Sequence, residues 1–311
     1  MDKLSLLKSV FVFAGLEENL LSQITGHMKE ARFGAGQEIF SEGDKADSFF
    51  IIDSGDVTIA KKLGPGHEKV LAVLTQGNVF GEMAFFSDSP RTANAVSKSD
   101  SVLLKIERDE FMQFVSAQPH AGLRILSGLL QVSMDRLEQT SRELATIYQT
   151  SKIISSGKNL QNILKETSDE LLLAIPGADN AALFLYNRFN EEYDAVVAPE
   201  GIKELARKCS LVCSLAQHPS GMLVNDTASL REPLEEFLRA SKSFLLAPIV
   251  KNDTLLGLVA LWNSAAPNAF KNSHLLLLSS VAGQLAEAIE NIQYQQEERD
   301  RQRLNDAKQE Y

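Results

Sequence analysis

Cysteine is nearly absent from this sequence. Only Cys209 and Cys213 carry thiols, too few for a disulfide framework and at a spacing that matches no zinc site. The five histidines, His27, His67, His120, His218 and His274, are scattered, so none pair at metal-ligand spacing. Positive charge is also in short supply: 31 Lys and Arg stand against 41 Asp and Glu, a formal net charge of −10. A nucleic-acid surface needs clustered cations to displace phosphate counterions, so this balance argues against one. No uninterrupted apolar run reaches the roughly 18 residues of a membrane span. The short apolar run from Val10 to Gly15 follows Lys8 and falls below the length of a signal-peptide core, so the expected compartment is the cytoplasm. There is no phosphate loop, Gly-x-Ser-x-Gly elbow or kinase signature, and no helix-turn-helix pattern. Metal, nucleophilic and phosphoryl-transfer chemistry therefore lack their usual residues.

What is present is an ordinary globular composition, 44% apolar and 23% charged over 311 residues, long enough for two domains. Residues 4–24 read as helical, with Leu4, Leu7, Phe11, Leu16, Leu20, Leu21 and Ile24 supplying apolar faces. From about residue 28 to 107 the pattern changes to short β-rich runs separated by glycine. Phe49–Ile52, Val57–Ala60, Val70–Leu74 and Val102–Ile106 are each bounded by turn residues, among them Gly43, Gly55, Gly66 and Gly77. That spacing predicts an antiparallel β-roll (a double-stranded β-helix) with flanking helices.

A long helix follows, from about Gln118 to Ser155. Positions 123, 126, 130, 133, 137, 140, 144, 147, 151 and 154 hold Leu, Leu, Leu, Ser, Leu, Thr, Leu, Ile, Ser and Ile. Alternating steps of three and four over more than four repeats are a heptad seam, which predicts a dimeric coiled coil. The alternative is a single amphipathic helix lying on its own domain.

Beyond residue 158 a second domain begins. A helix from Leu160 to Leu173 leads into strands at Ala181–Tyr186 and Tyr193–Val197. After a helical region come Met222–Asp226, Ser243–Val250 and Leu255–Asn263, then Phe270 and an amphipathic helix from Leu275 to Ile292. From Gln293 to Tyr311 the sequence is wholly polar, which reads as a solvated helix or tail.

The densest chemistry lies at Phe80-Gly81-Glu82-Met83-Ala84-Phe85-Phe86, followed by Pro90-Arg91-Thr92-Ala93 and Val96. It combines turn amides, a carboxylate and a guanidinium, which together meet the needs of a cyclic nucleotide's ribose-phosphate. Arg91 offers a planar two-pronged donor to an anionic phosphate. Gly81 permits close backbone approach, and a helical turn starting near Glu82 would present free amides. Glu82, acceptor-only when ionised, suits a ribose 2′-hydroxyl. A Gly-Glu turn and an arginine nine residues later are each commonplace alone; the whole string in a β-roll is what carries weight.

This string resembles the phosphate-binding cassette of cyclic-nucleotide-binding domains, as in catabolite activator proteins, kinase regulatory subunits and nucleotide-gated channels. The resemblance covers about residues 4–140. It implies that Gly81, Glu82, Met83, Ala84, Arg91 and Thr92 hold the ribose-phosphate. The segment Leu130–Leu137 resembles the helix that closes over the base in catabolite activators, which would make Ser133 the base-reading hydroxyl; Met134 stands where a second hydroxyl would be. That segment favours cyclic AMP (cAMP) over cyclic GMP (cGMP), although Thr92 after the arginine can read guanine in some relatives.

The second domain resembles a GAF domain, through the Asn225-Asp226 strand end, Leu245-Leu246-Ala247-Pro248 and Gly257-Leu258-Val259-Ala260-Leu261. The expected architecture is thus α+β in two domains: a roll over residues 1–120, a connecting coiled-coil helix over 121–157, an α/β/α GAF-like domain with a central antiparallel sheet over 158–292, and a polar end over 293–311. In the GAF-like part the Cys next to His of bilin attachment is missing, and so is the signature of nucleotide-binding GAF domains. Cys209 and Cys213, four apart, suit one helix face as small apolar groups, and Trp262 suits the core.

Together these features predict a non-catalytic cyclic-nucleotide sensor, a parallel homodimer that relays through its helix to the GAF-like pair and to an unidentified output protein. It needs no cofactor or metal and involves neither nucleic acid nor membrane. Two rivals are an adaptor with a degenerate cassette and a phosphodiesterase, the latter without any nameable nucleophile–base pair.

Overall fold

The computed structural model describes residues 3–64, 67–87, 89–217, 221–230 and 234–309; Gly66, His218 and Tyr311 lie outside them. The chain divides into two compact units, Met1–Gln139 and Thr140–Tyr311.

In the first unit, α1 (Lys3–Ser9) and α2 (Glu18–Gly26) precede the strands. The single helical stretch expected over 4–24 is instead two helices and a short 3₁₀ turn, because Gly15 takes a left-handed φ of +74° between them. Eight strands follow: β1 (Met28–Phe33), β2 (Glu38–Phe40), β3 (Ser48–Ser54), β4 (Val57–Gly64), β5 (His67–Leu74), β6 (Val79–Phe80), β7 (Asn94–Ser97) and β8 (Ser101–Glu107). They form two four-stranded antiparallel sheets, ordered β1-β8-β3-β6 and β2-β7-β4-β5. Period-two alternation explains how one strand serves two cores. On β3, Phe50 and Ile52 face the roll interior with Val57, Phe80 and Leu103, whereas Phe49 and Ile51 face outward onto the helices. The outer core takes in Leu6, Phe13 and Ile24, and also Phe111 and Phe114 of α4 (Arg108–Ala117).

Between β6 and β7 lies α3 (Glu82–Ser87), where the chain crosses from one sheet to the other. The helix α5 (Pro119–Ile154) then runs 36 residues. Its seam has two uses. Leu126 packs on the outer core of the roll, and Ile147 and Ile154 pack on the core of the second unit. Leu123, Leu130, Leu137 and Leu144, seven residues apart, are 58–68% exposed.

The second unit is a six-stranded antiparallel sheet, ordered β11-β10-β9-β14-β13-β12. Its elements are α6 (Leu160–Ala174), β9 (Asn180–Asn187), β10 (Glu192–Val197), β11 (Glu204–Ala206), α7 (Ser210–Gln217), β12 (Met222–Val224), β13 (Ser243–Lys251), β14 (Thr254–Asn263) and α8 (Asn272–Gln309). Alternation again separates two faces. Leu245, Ala247, Val259 and Leu261 pack under α6 and α8, while Phe244, Leu246, Leu258, Ala260 and Trp262 pack under α7. Trp262 is core, as expected. The thiols differ from expectation: Cys213 is exposed and Cys209 half-buried, because α7 turns only its Leu211, Val212 and Leu215 side inward. By length and composition the stretch Asn272–Ile292 is apolar enough to cross a membrane. Its Leu278, Val281, Ala282, Leu285 and Ile289 are fully buried in the sheet's core, as in the core helix of a globular domain.

Gly55 holds the β3–β4 turn at φ +85°, and a Cβ there would meet the Asp100 carbonyl oxygen at 2.5 Å. Backbone strain of this kind costs about 1–3 kcal/mol before the clash is counted. Gly55→Ala is expected to lower the urea midpoint of the roll, while Gly43→Ala, with nothing within 4 Å of its Cβ, costs less; equal midpoints would refute the close approach.

Candidate functional site

The crossover between the sheets creates a cavity of about 410 Å³ lined by Gly81, Glu82, Met83 and Ala84 from one side and Arg91, Thr92 and Ala93 from the other. Phe40 and Phe80 line it about 6 Å apart, and Phe50 stacks behind Phe80 at 5.2 Å.

Arg91 is only 4% exposed. One terminal nitrogen, Nη1, donates to the Gly81 carbonyl at 2.8 Å, and the other, Nη2, donates to the Ser48 carbonyl at 2.6 Å. The guanidinium carbon lies 4.2 Å over the Phe40 ring, a cation–π contact that also fixes its plane. The backbone on either side is tied to the preceding turn, with Arg91 N–H on the Asp44 carbonyl at 2.8 Å. Burial pulls the guanidinium below its ordinary value, against the opposing fields of Asp47, Asp44 and Glu82. It stays a cation, since arginine does not give up its proton in proteins. Its Nε–H is buried and meets no acceptor among the described residues. A buried cation with an unmet donor is a receptor for an anion.

Gly81 has φ +79°, and a Cβ on it would fall 2.7 Å from the Arg91 Nη1. Only glycine lets the guanidinium lie against the backbone there. The α3 helix begins at the next residue, so its first-turn amides have no intrahelical partner. Met83 is exposed at the rim, Ala84 is buried, and Thr92 is exposed, its carbonyl accepting from Lys61 at 3.4 Å.

Glu82 is 1% exposed. Its Oε1 accepts from Arg136 Nη1 at 2.7 Å and lies 3.5 Å from the Ser133 hydroxyl. Arg136 also donates to the Val79 carbonyl and lines the cavity. The structure therefore brings Gly81, Glu82, Met83, Ala84, Arg91 and Thr92 together around one cavity. It places Ser133 on the carboxylate at the cavity's edge. Sequence reasoning missed Arg136, although Ser133 and Arg136 stand three apart and so share one face of α5. It also missed Ser48 and Phe40, whose roles depend on strand pairing distant in sequence.

In the second unit, burial pushes the Cys209 thiol up and the neighbouring Glu235 carboxylate raises it further, which disfavours the thiolate. No group of three or more metal-ligating side chains occurs among the described residues.

A buried guanidinium and free helix amides, where a β-roll crosses between its sheets, are the features of a cyclic nucleotide-binding domain. Residues 30–118 match the cyclic nucleotide-binding domain family and residues 159–289 match the GAF domain family. The chain therefore carries a cyclic nucleotide-binding domain followed by a GAF domain. It is 29% identical over 136 residues to a CRP-like cAMP-activated global transcriptional regulator of Mycobacterium tuberculosis, which covers 44% of this chain and 59% of that protein. It is 34% identical over 117 residues to cGMP-dependent protein kinase, isozyme 1, of Drosophila melanogaster, covering 37% of this chain and 15% of the kinase. Among solved structures it is similar to the Thermus thermophilus catabolite activator protein, with a TM-score of 0.41 and 22% identity over 52% of this chain and 78% of that one.

The Glu82–Arg136 pair is testable without any ligand. Arg136→Gln leaves a buried carboxylate short of its cation. In a double-mutant cycle with Glu82→Gln, the coupling energy is expected to be about 1–3 kcal/mol by urea unfolding. Additive single effects would show that the bridge does not form in solution.

Proposed function

We propose that this chain is a non-catalytic sensor that binds a cyclic nucleotide in the roll and passes the change along α5 to the GAF domain. The observation that carries this reading is Arg91, a buried guanidinium aimed at a cavity with one N–H unmet. The cyclic phosphate lies on Arg91 and the first amides of α3, and the ribose 2′-hydroxyl donates to Glu82. Ser133 and Arg136 stand beside that carboxylate, so a ribose arriving there competes with contacts that tether α5. A ligand that changes those contacts has differential affinity for two positions of the helix, which is what a population shift requires.

The nucleotide we favour is cAMP, from the activator-like segment around Ser133. The 29% identity to a regulator described as cAMP-activated supports this, while likeness to cGMP-dependent kinases makes cGMP the alternative. The proposed working form is a cytoplasmic parallel homodimer. Four leucines at heptad spacing with their side chains in solvent form an apolar stripe that a second copy of α5 would cover.

Calorimetric titration of cAMP and cGMP into the full chain tests the ligand. Saturable binding is expected, weakened by about 2–5 kcal/mol in Arg91→Ala. A folded, ligand-free wild type that gives no heat would instead make the chain an adaptor. Sedimentation tests the dimer: Leu130→Glu with Leu137→Glu is expected to convert a dimer to monomer, and a wild type already monomeric at micromolar concentration would reject the paired helix.

A further inference from the structure

The two charged groups of the cassette are held from different places. Arg91 is bound within the roll, by the Gly81 and Ser48 carbonyls and the face of Phe40. Glu82 is bound by α5. Its side chain is 2% exposed and that of its partner Arg136 is 33% exposed, so the carboxylate is the inner member of the pair and the guanidinium the outer. Arg136 is tied a second time, to the Val79 carbonyl of β6. The Ser133 hydroxyl, three residues back on the same helix face, lies 3.5 Å from the same carboxylate oxygen.

The two halves of a ribose-phosphate therefore meet different conditions. A phosphate reaches Arg91 and the first amides of α3 without disturbing α5. A ribose hydroxyl reaches a carboxylate that α5 already occupies, and it is the weaker claimant, because a neutral O–H donor gives up the charge that a guanidinium supplies. It displaces Arg136 only when the phosphate has already fixed the sugar, which makes the second contact intramolecular. Arg136 is also the one α5 side chain among the described residues that line the cavity, so the cavity's link to the helix runs through the sugar subsite.

Resting on the cyclic-nucleotide reading of the cassette, we infer that Arg136 is a positioning residue that reads the sugar through Glu82, and that the ribose 2′-hydroxyl, rather than the base, releases α5. A cyclic nucleotide without that hydroxyl fills the cavity and leaves the helix docked. The Glu82–Arg136 pair has to open for a ribose ligand, so it lowers the apparent affinity for ribose and leaves that for deoxyribose untouched.

The ligands cAMP and 2′-deoxy-cAMP share a base and a cyclic phosphate and differ by one hydroxyl. Both are titrated into the full chain by calorimetry, and amide hydrogen exchange over residues 130–139 of α5 is followed at saturation with each. Exchange there is expected to change with cAMP and to stay as in the free chain with 2′-deoxy-cAMP. Arg136→Gln is expected to tighten cAMP by about tenfold and to leave 2′-deoxy-cAMP unchanged, whereas a merely structural role moves both alike. Equal exchange responses to the two nucleotides, weaker cAMP binding by Arg136→Gln, or no 2′-deoxy-cAMP binding at millimolar concentration would overturn the inference. The exchange comparison uses the wild type alone, so it decides the matter even where Arg136→Gln fails to fold. A wild type that binds neither nucleotide removes the cassette reading itself; binding of both without the difference removes this inference alone.

Discussion

The N-terminal domain is arranged around a cation that has been taken out of water. A guanidinium at 4% exposure survives only if its charge is answered, and here the answer is incomplete. Two carbonyls and an aromatic face hold Arg91, yet carbonyl dipoles do not neutralise a full charge. The requirement propagates outward. Gly81 has to lack a side chain, because Arg91 occupies the space where one would be. Ser48 has to lie at the start of β3 so that its carbonyl meets the second terminal nitrogen. The Phe40, Phe50 and Phe80 cluster has to underlie the pair. These constraints come from β2, β3, β6 and the β6–α3 junction, which belong to both sheets, so the cavity sits where the chain crosses between them.

Glu82 is the second charge, and it is answered from elsewhere. Its partner Arg136 comes from α5, 54 residues on. The carboxylate that suits a ribose hydroxyl is thus the group that holds the helix, and the two demands meet on one oxygen pair. Under the proposed function, a ligand that changes who donates to Glu82 would act on a 36-residue element without rearranging the roll. The leucine stripe on α5 adds a second condition, since its exposed positions alternate with those that pack on each unit's own core. The exposed and the docked positions lie three or four residues apart and so border one another along one side of the helix.

Much of this was legible in the sequence, for identifiable reasons. The strands Phe49–Ile52 and Val102–Ile106 declare themselves because each face of the sheet has its own core, giving apolar runs that only Lys105 interrupts. The cassette was readable because its residues are contiguous and their chemistry is specific. Gly15 hid the break between α1 and α2, since apolar spacing continues across it and only φ reveals the turn. Strand β1, with Met28 alone fully buried, carries too little apolar pattern to announce itself, and β11 is only three residues long. Arg136 was missed because its importance lies in a pairing with Glu82 that no local pattern encodes. The heptad and the amphipathic-helix readings of α5 were posed as alternatives, whereas one helix carries the features of both.

The cassette's cavity is framed by Arg91 and Arg136, with the Glu82 carboxylate bound to the second of them. In a chain with a net charge of −10, an anion site has to be made locally, from buried guanidiniums and free amides, because the long-range field opposes it. The cassette accordingly rests on a buried, multiply hydrogen-bonded arginine and on a glycine whose missing side chain leaves room for it.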